Sequence, residues 1–166
     1  MANFLLFISS LCIGLIQLIS MVYFKQSFFF TAISLCCAFT SIWNHGTTNI
    51  IAKFVDRIYM VVYIAANSVI IHTIVEPNIS KLLMFMIMIS GILSVLLAMH
   101  IRSNLPKYKV LNSKVNAFNF ANYFHLYSHI VVMVLHPWLS YYLSINCGDH
   151  LPVLCEDSWF YGILAS

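Results

Sequence analysis

The stretch FLLFISSLCIGLIQLISMVYF, residues 4–24, contains no charged side chain and is long enough to cross a membrane as a single helix. Four similar apolar blocks follow it. The five predicted spans are 4–24, 27–43, 58–75, 82–101 and 121–146. Together with their loops they use the whole chain as far as residue 146, so the sequence predicts an all-α membrane protein in which residues 1–146 form a five-helix transmembrane bundle.

The composition excludes an ordinary soluble domain. Of the 166 residues, 61% are hydrophobic and 8% are charged, whereas soluble proteins carry roughly 25% charged residues. The blocks are continuously apolar rather than alternating, which excludes a transmembrane β-barrel and leaves helices to satisfy the backbone in lipid. The first block lacks a basic preceding segment and a cleavage site, so we expect it to be a retained span.

The basic residues predict the orientation of the bundle. Two of them, Lys25 and Lys81, fall on the side opposite the N-terminus. The six on the N-terminal side are Lys53, Arg57, Arg102, Lys107, Lys109 and Lys114. The positive-inside rule therefore predicts a cytosolic N-terminus and a lumenal or extracellular tail at 147–166. The short spans favour the endoplasmic reticulum or the Golgi.

The predicted topology also places two further features, a pair of cysteines and a basic segment. Cys147 and Cys155 lie in the predicted lumenal tail, where a disulfide between them could persist. The basic segment 102–114 lies in a cytosolic loop, where anionic lipid headgroups attract it. It is too short and isolated to indicate binding of nucleic acid.

Polar residues recur at the boundaries of the apolar blocks. Ser41 and His45 in SIWNHGTTNIIAKFVD (41–56) are four residues apart, as are His125 and His129, so each pair shares one helix face. Asp56 is predicted to open the third helix, where an acid is also favourable for purely structural reasons. Two packed or interfacial histidines are likewise an alternative explanation for the His-x-x-x-His pair.

The predicted topology brings these five residues to one leaflet, because the second helix ends and the third and fifth begin on the cytosolic side. Ionisable groups within spans cost about 2.5–3.5 kcal/mol at the helix centre and are therefore functional candidates. Three neutral imidazoles with one open position form a catalytic zinc site. We predict zinc ligands at His45, His125 and His129, a general base at Asp56 and an oxyanion donor at Ser41.

This pattern resembles the CREST superfamily of membrane hydrolases, which includes alkaline ceramidases, progestin and adipoQ receptors and GPI-anchor lipid remodelling factors. The shared elements are Ser-x-x-x-His, an Asp eleven residues after the His, and a late His-x-x-x-His. Trp43 and Thr47, which flank His45, and the stretch HLYSHIVVMVLH (125–136) are most similar to the alkaline ceramidases. The clear similarity covers 41–63 and 122–136.

The resemblance implies a fold, an activity and a set of roles. The fold would be a helical bundle around a lipid-sized cavity, with zinc on the three histidines and with Ser41 and Asp56 as the catalytic hydroxyl and acid. The reaction would be hydrolysis of the acyl amide of a ceramide-like lipid, taken from the bilayer, by a water molecule on the zinc. A GPI-lipid or phospholipid ester is the alternative substrate within the same superfamily.

The chain departs from the family in length. CREST proteins have seven spans, and this chain has two fewer between the Asp helix and the His-x-x-x-His helix, which preserves the side on which the histidines emerge. Without these two helices, the cavity could take a different substrate, the chain could form a homo-oligomer that completes the bundle, or the protein could be an inactive relative. The family's acidic N-terminal segment is reduced here to Met-Ala-Asn, so no calcium is expected.

Two other classes of protein remain alternatives. A haem-binding electron carrier would use histidines on facing helices as axial ligands and would show a Soret band, but it gives no role to Ser41 or Asp56. A non-catalytic, receptor-like relative would keep zinc and show no turnover. The histidines outside the cluster are expected to be packing, interfacial or surface residues; they are His72, His100, His136 and His150.

Overall fold

The computed structural model describes residues 4–24, 28–107 and 111–146, and these ranges form five α-helices without a β-strand. The helices are α1 (Phe4–Phe24), α2 (Phe28–Gly46), α3 (Ile50–Ile74), α4 (Asn78–Asn104) and α5 (Leu111–Asn146). A short 3₁₀ turn, Leu105–Lys107, follows α4. The predicted all-α, five-helix fold is confirmed. The predicted tail at 147–166, with its Cys147–Cys155 disulfide, lies outside the described residues.

Three of the described helices are long and apolar enough to cross a membrane: α1, the Ile50–Thr73 part of α3, and α4. This is compatible with the predicted membrane protein. Helix α5 is the least apolar of the five described helices, and both α2 and α5 carry polar residues discussed below. That all five helices cross the membrane, and in which orientation, stays a prediction.

Three helices begin earlier than the apolar blocks suggest, and one of them is α4, which begins at Asn78 rather than at residue 82. Helix α3 begins at Ile50, after Asn49, whose side-chain oxygen accepts a hydrogen bond from the Ile51 N–H at 2.8 Å. This cap satisfies one of the free N–H groups of the first turn. Asp56 consequently lies in the second turn of α3 and does not open the helix as predicted. Helix α5 begins at Leu111, before the predicted span. Polar residues lower the hydropathy of its first turns, but they do not interrupt the helix.

The helices form a ring with one loose side. Helix α5 packs against α4 and α1, α1 packs against α2, and α2 packs against α3. The contacts of α3 with α4 and with α5 are much sparser, so the ring closes loosely along α3 and α4. The apolar core lies toward the other end of the bundle from His45 and His125. In this core Phe30, Ile70, Met84 and Leu139 are completely buried.

The bundle is apolar outside and partly polar inside. On α1 the apolar side chains of Leu15 and Ile19 are 59% and 57% exposed, while Ser10 and Gln17 on the opposite face are buried. A helix surface of this kind is suited to lipid rather than to water, because lipid solvates the apolar side and only the interior can satisfy the polar groups. The polar interior is where the candidate site lies.

The packing of α4 on α5 predicts a large effect at Gly91. A Cβ atom added there would lie 2.9 Å from Cγ1 and 3.2 Å from Cβ of Val131. Because Val131 is β-branched and stiff at χ1, the helices must separate. We expect Gly91→Ala to lower the free energy of unfolding in detergent by about 1–3 kcal/mol, measured by thermal unfolding followed by circular dichroism.

The matched control is Gly14→Ala on α1. The added Cβ there would lie 3.6 Å from the Ala38 Cβ, an ordinary van der Waals contact. We expect this variant to be neutral or more stable, because alanine has the higher helix propensity. Equal stability of the two variants would contradict the close α4–α5 packing.

Candidate metal centre

Three histidines from two helices converge inside the bundle. His45 comes from the last turn of α2, and His125 and His129 come from adjacent turns of α5. The ring centroids lie 4.9 Å apart for His45 and His125, 5.3 Å for His45 and His129, and 5.0 Å for His125 and His129. One ring nitrogen of each lies within 4.8 Å of the other two. The structure therefore brings together the three predicted ligands.

A serine on α1 contacts a ring nitrogen of His129. Ser9 Oγ donates to the Leu6 carbonyl at 2.9 Å and lies 2.7 Å from His129 Nδ1. While the single hydroxyl hydrogen is on Leu6, the His129 Nδ1–H donates to Ser9. The Nε2 atom of His129 is then left with its lone pair, which is the form a metal requires.

His45 carries an unpartnered nitrogen. Its side chain is buried, and Nε2 has no hydrogen-bond partner among the described residues. A buried polar atom without a partner costs free energy, so such atoms call for an explanation by a bound group. A metal ion on His45 Nε2 is an explanation that also accounts for the two neighbouring rings.

His125 is held by an arginine. Arg102 on α4 donates from Nη1 to His125 Nδ1 at 3.2 Å and from Nη2 to Asn122 Oδ1 at 2.8 Å. Arginine has only donors, so His125 Nδ1 must be the acceptor here. A metal on Nδ1 would displace Arg102, and a metal on Nε2 would require a hydrogen on Nδ1. Metal binding therefore releases Arg102 from His125 in either case.

The three histidines fit a zinc ion on two conditions. Tetrahedral zinc with Zn–N bonds of about 2.0–2.1 Å needs ligand nitrogens about 3.3 Å apart, so the rings must close slightly from their present spacing. Arg102 must also exchange its partner, as described above. The donor set of three neutral imidazoles matches catalytic zinc sites, which keep the fourth position open.

Ser41 lies beside the cluster on α2 but is engaged by α1. Its Oγ lies 3.0 Å from Ser10 Oγ, and Ser10 Oγ donates to the Leu6 carbonyl at 2.8 Å. Ser41 and Ser10 are therefore joined by a hydrogen bond between α2 and α1. To donate to a bound substrate, as predicted, Ser41 would have to rotate away from Ser10.

Asp56 lies outside the group of three nitrogens. Its Oδ2 accepts a hydrogen bond of 2.6 Å from Asn44 Nδ2, which joins the second turn of α3 to the end of α2. The carboxylate also lines the same two cavities as His125. The structure thus places Asp56 and His125 on a shared cavity wall.

Two cavities meet at the cluster. The first, of about 140 Å³, lies inside the bundle, is lined from all five helices and has mostly apolar walls; Met60, Ile92 and Leu135 are among its lining residues. Its polar lining residues include Ser41, Asp56, His125 and His129, and also Tyr63, Asn67 and Ser128. The cavity is therefore a mostly apolar space that reaches the histidine cluster.

The second cavity, of about 300 Å³, lies toward the ends of the helices that carry His45 and Arg102. It is much more polar, and Lys53, Arg57 and Arg102 line it. The two cavities share part of their walls; the shared residues are Asp56, Met60, Val95, Met99 and His125. The two cavities therefore adjoin at these residues, one with mostly apolar walls and the other with cationic walls.

The other histidines stay apart from the cluster. His136 is completely buried, stacks on Phe30 and lies 3.0 Å from Tyr63 Oη through Nδ1. His72 and His100 are exposed on α3 and α4. His136, His72 and His100 thus take packing or surface positions, as expected, and His150 lies outside the described residues.

Sequence reasoning missed four residues of the site: Ser9, Ser10, Asn44 and Arg102. One available signal was the polar stripe of α1, where Ser9, Ser10, Gln17 and Ser20 recur at helical spacing on the buried face. Comparison of the chain with protein-family models, with curated proteins and with solved structures gave no match.

Proposed function

We propose that this chain is a zinc-dependent hydrolase that cleaves an acyl bond of a lipid within the bilayer. The observation that carries the proposal is the convergence of the ring nitrogens of His45, His125 and His129 within 4.8 Å, at the junction of an apolar and a polar cavity. The resemblance to the CREST superfamily supports the same assignment. The substrate it suggests is the acyl amide of a ceramide-like lipid.

The protein groups have distinct roles in this proposal. His45, His125 and His129 hold the ion, and Ser9 keeps His129 in the required tautomer. Zinc, when bound, supplies Lewis acidity and makes a water molecule nucleophilic at neutral pH. The buried position of the histidines keeps the ion in a low-dielectric environment, where electrostatic stabilisation is stronger than in water.

Asp56 and Ser41 act on the proton and on the developing charge. As the oxygen of water forms a bond to the acyl carbon, Asp56 accepts the proton. Ser41, after leaving Ser10, donates its hydrogen to the carbonyl oxygen as that oxygen becomes negative. The bond from carbon to the leaving nitrogen then breaks, and Asp56 returns the proton to the amine. The products are a fatty acid and an amine.

An ester substrate is a second candidate. The polar cavity carries three cationic side chains, whereas a ceramide headgroup has no charge for them to bind. A GPI lipid or a phospholipid presents phosphate and an acyl ester, and the same residues can hydrolyse an ester by the same steps.

The test combines metal analysis with turnover. Purified protein in detergent is analysed for zinc and is then incubated with ceramides and with phospholipids, and fatty-acid release is measured by mass spectrometry. We expect about one zinc per chain and release from at least one lipid that a chelator abolishes. Zinc without any release indicates a non-catalytic relative, and a Soret band would replace the proposal by the haem alternative.

The hydrogen bond between Ser9 and His129 predicts that removal of Ser9 weakens zinc binding without abolishing it. In Ser9→Ala the imidazole loses its partner, and partners of metal-bound histidines contribute about 10–100-fold in metal affinity. We expect a zinc dissociation constant higher by that factor, measured by competition with a chromophoric chelator. Ser20→Ala, another buried serine on the same face of α1, is the control and should bind zinc like the unaltered protein.

A further inference from the structure

We infer that the cationic cavity binds the anionic headgroup of the substrate, so that the site takes an acyl lipid carrying a phosphate rather than a neutral lipid. This inference rests on the proposed function, because it names the substrate class of the same site. It rests on the excess of positive charge around the polar cavity, on the hydrogen-bond partners of Arg102 and on the wall residues that the two cavities share.

The charges around the polar cavity do not balance. Lys53, Arg57 and Arg102 line it together with one carboxylate, that of Asp56, which already accepts a hydrogen bond from Asn44. The salt bridge formed in the described part of the chain, Lys81 with Glu76, lies at the far end of α4. Within the described ranges, the cavity wall therefore carries three cations against one carboxylate.

Arg102 is the residue best placed to bind an anion. Its guanidinium group is half-buried, and its Nε has no hydrogen-bond partner among the described residues. Its Nη atoms are held only by neutral acceptors, His125 and Asn122. An arginine binds phosphate through two parallel hydrogen bonds that are stronger than bonds to neutral acceptors. Metal binding to His125 would free one Nη group for this purpose.

The cavity geometry favours a lipid over free phosphate. The cationic cavity and the apolar cavity share Asp56 and His125 in their walls, so a molecule with its phosphate at Arg102 would have the apolar cavity next to it for its acyl chain. Its acyl bond then lies beside the histidines. A neutral headgroup would leave the half-buried guanidinium group of Arg102 without an anionic partner, which is unfavourable.

The test measures binding without turnover, on metal-free protein in a neutral detergent. Dioleoyl phosphatidic acid, dioleoylglycerol and inorganic phosphate each compete with a fluorescent phosphatidic acid. We expect phosphatidic acid to bind about tenfold or more tightly than dioleoylglycerol, because charge-assisted hydrogen bonds are the strong ones. Inorganic phosphate should compete only weakly, because it lacks the acyl chain. Competition by phosphate equal to that by the lipid would overturn the lipid assignment.

Two single variants distinguish binding in the cationic cavity from attraction to the basic surface of the protein. Arg102→Met should lose about tenfold in phosphatidic acid affinity and retain its affinity for dioleoylglycerol. Lys114→Met removes the same charge from an exposed position on α5 that does not line the cavity, and it should change the affinity less than twofold. Equal losses in these two variants would overturn the inference in favour of attraction to the basic surface alone.

A second variant guards against misfolding of Arg102→Met. The double substitution of Lys53 and Arg57 by Met removes two exposed side chains from the same cavity and should also lower phosphatidic acid affinity. Because these assays need neither zinc nor hydrolysis, a headgroup preference without lipid cleavage contradicts only the proposed function. Cleavage of neutral ceramide that Arg102→Met leaves unchanged contradicts only the headgroup inference.

Discussion

Replacing His129 by Ala is expected to reduce bound zinc from about one ion per chain to nearly none. The variant removes one of three ligands and also leaves Ser9 without its partner at 2.7 Å. Two remaining imidazoles cannot hold a four-coordinate catalytic ion as three can. Hydrolysis should fall by about 10³-fold or more, because the Lewis acidity of the metal is worth several kcal/mol. Elemental analysis and fatty-acid release measure the two effects.

His72→Ala is the matched control for this experiment. His72 is exposed in the last turn of α3, far along the helix from Asp56. Its loss should therefore leave both the zinc content and the activity intact. Loss of zinc in both variants would point to adventitious metal on surface histidines. Retention of zinc in His129→Ala would remove this residue from the ligand set and with it the proposed metal centre.

The substitution Asp56→Asn is expected to separate metal binding from proton transfer. The amide has the shape of the carboxylate, and its oxygen can still accept the hydrogen bond from Asn44, so the structure should be preserved. An amide cannot take a proton from water at neutral pH, and loss of a general base costs about 10²–10⁴-fold in rate. We expect full zinc content with kcat reduced by that factor, measured at saturating lipid.

The control for Asp56 is the residue that orients it. Asn44→Ala keeps the carboxylate and removes only its 2.6 Å hydrogen bond, so its effect on kcat should be clearly smaller than that of Asp56→Asn. If Asp56→Asn lost its zinc, the carboxylate would be a metal ligand. If it kept full activity, the base would have to be another group.

Much of this arrangement could be predicted from local sequence rules. The four-residue spacing of His125 and His129 requires one helix face, and the count of apolar blocks brings His45 to the same end of the bundle. The uncharged blocks also gave the correct number of helices. Helix ends were less predictable, because the side-chain cap at Asn49 and the polar first turns of α5 extend helices beyond the apolar residues.

The contacts between helices were not predictable in this way. Ser9 meets His129 across 120 positions of sequence, and Arg102 meets His125 between α4 and α5. Such contacts depend on which helices become neighbours around the ring, and hydropathy blocks do not specify that order. The tautomer of His129 and the competition for His125 therefore become visible only when the bundle is assembled.

The loose seam between α3 and α4 affects how such an enzyme would meet its substrate. The apolar cavity lies against this seam, with Met60 on one side and Ile92 and Met99 on the other. In the proposed function, this seam would admit a lipid sideways from the leaflet into the cavity, so that the lipid would not have to cross water. The reaction rate should then follow the mole fraction of substrate in the membrane and be insensitive to bulk lipid concentration, so that dilution with inert lipid slows turnover while dilution with buffer does not.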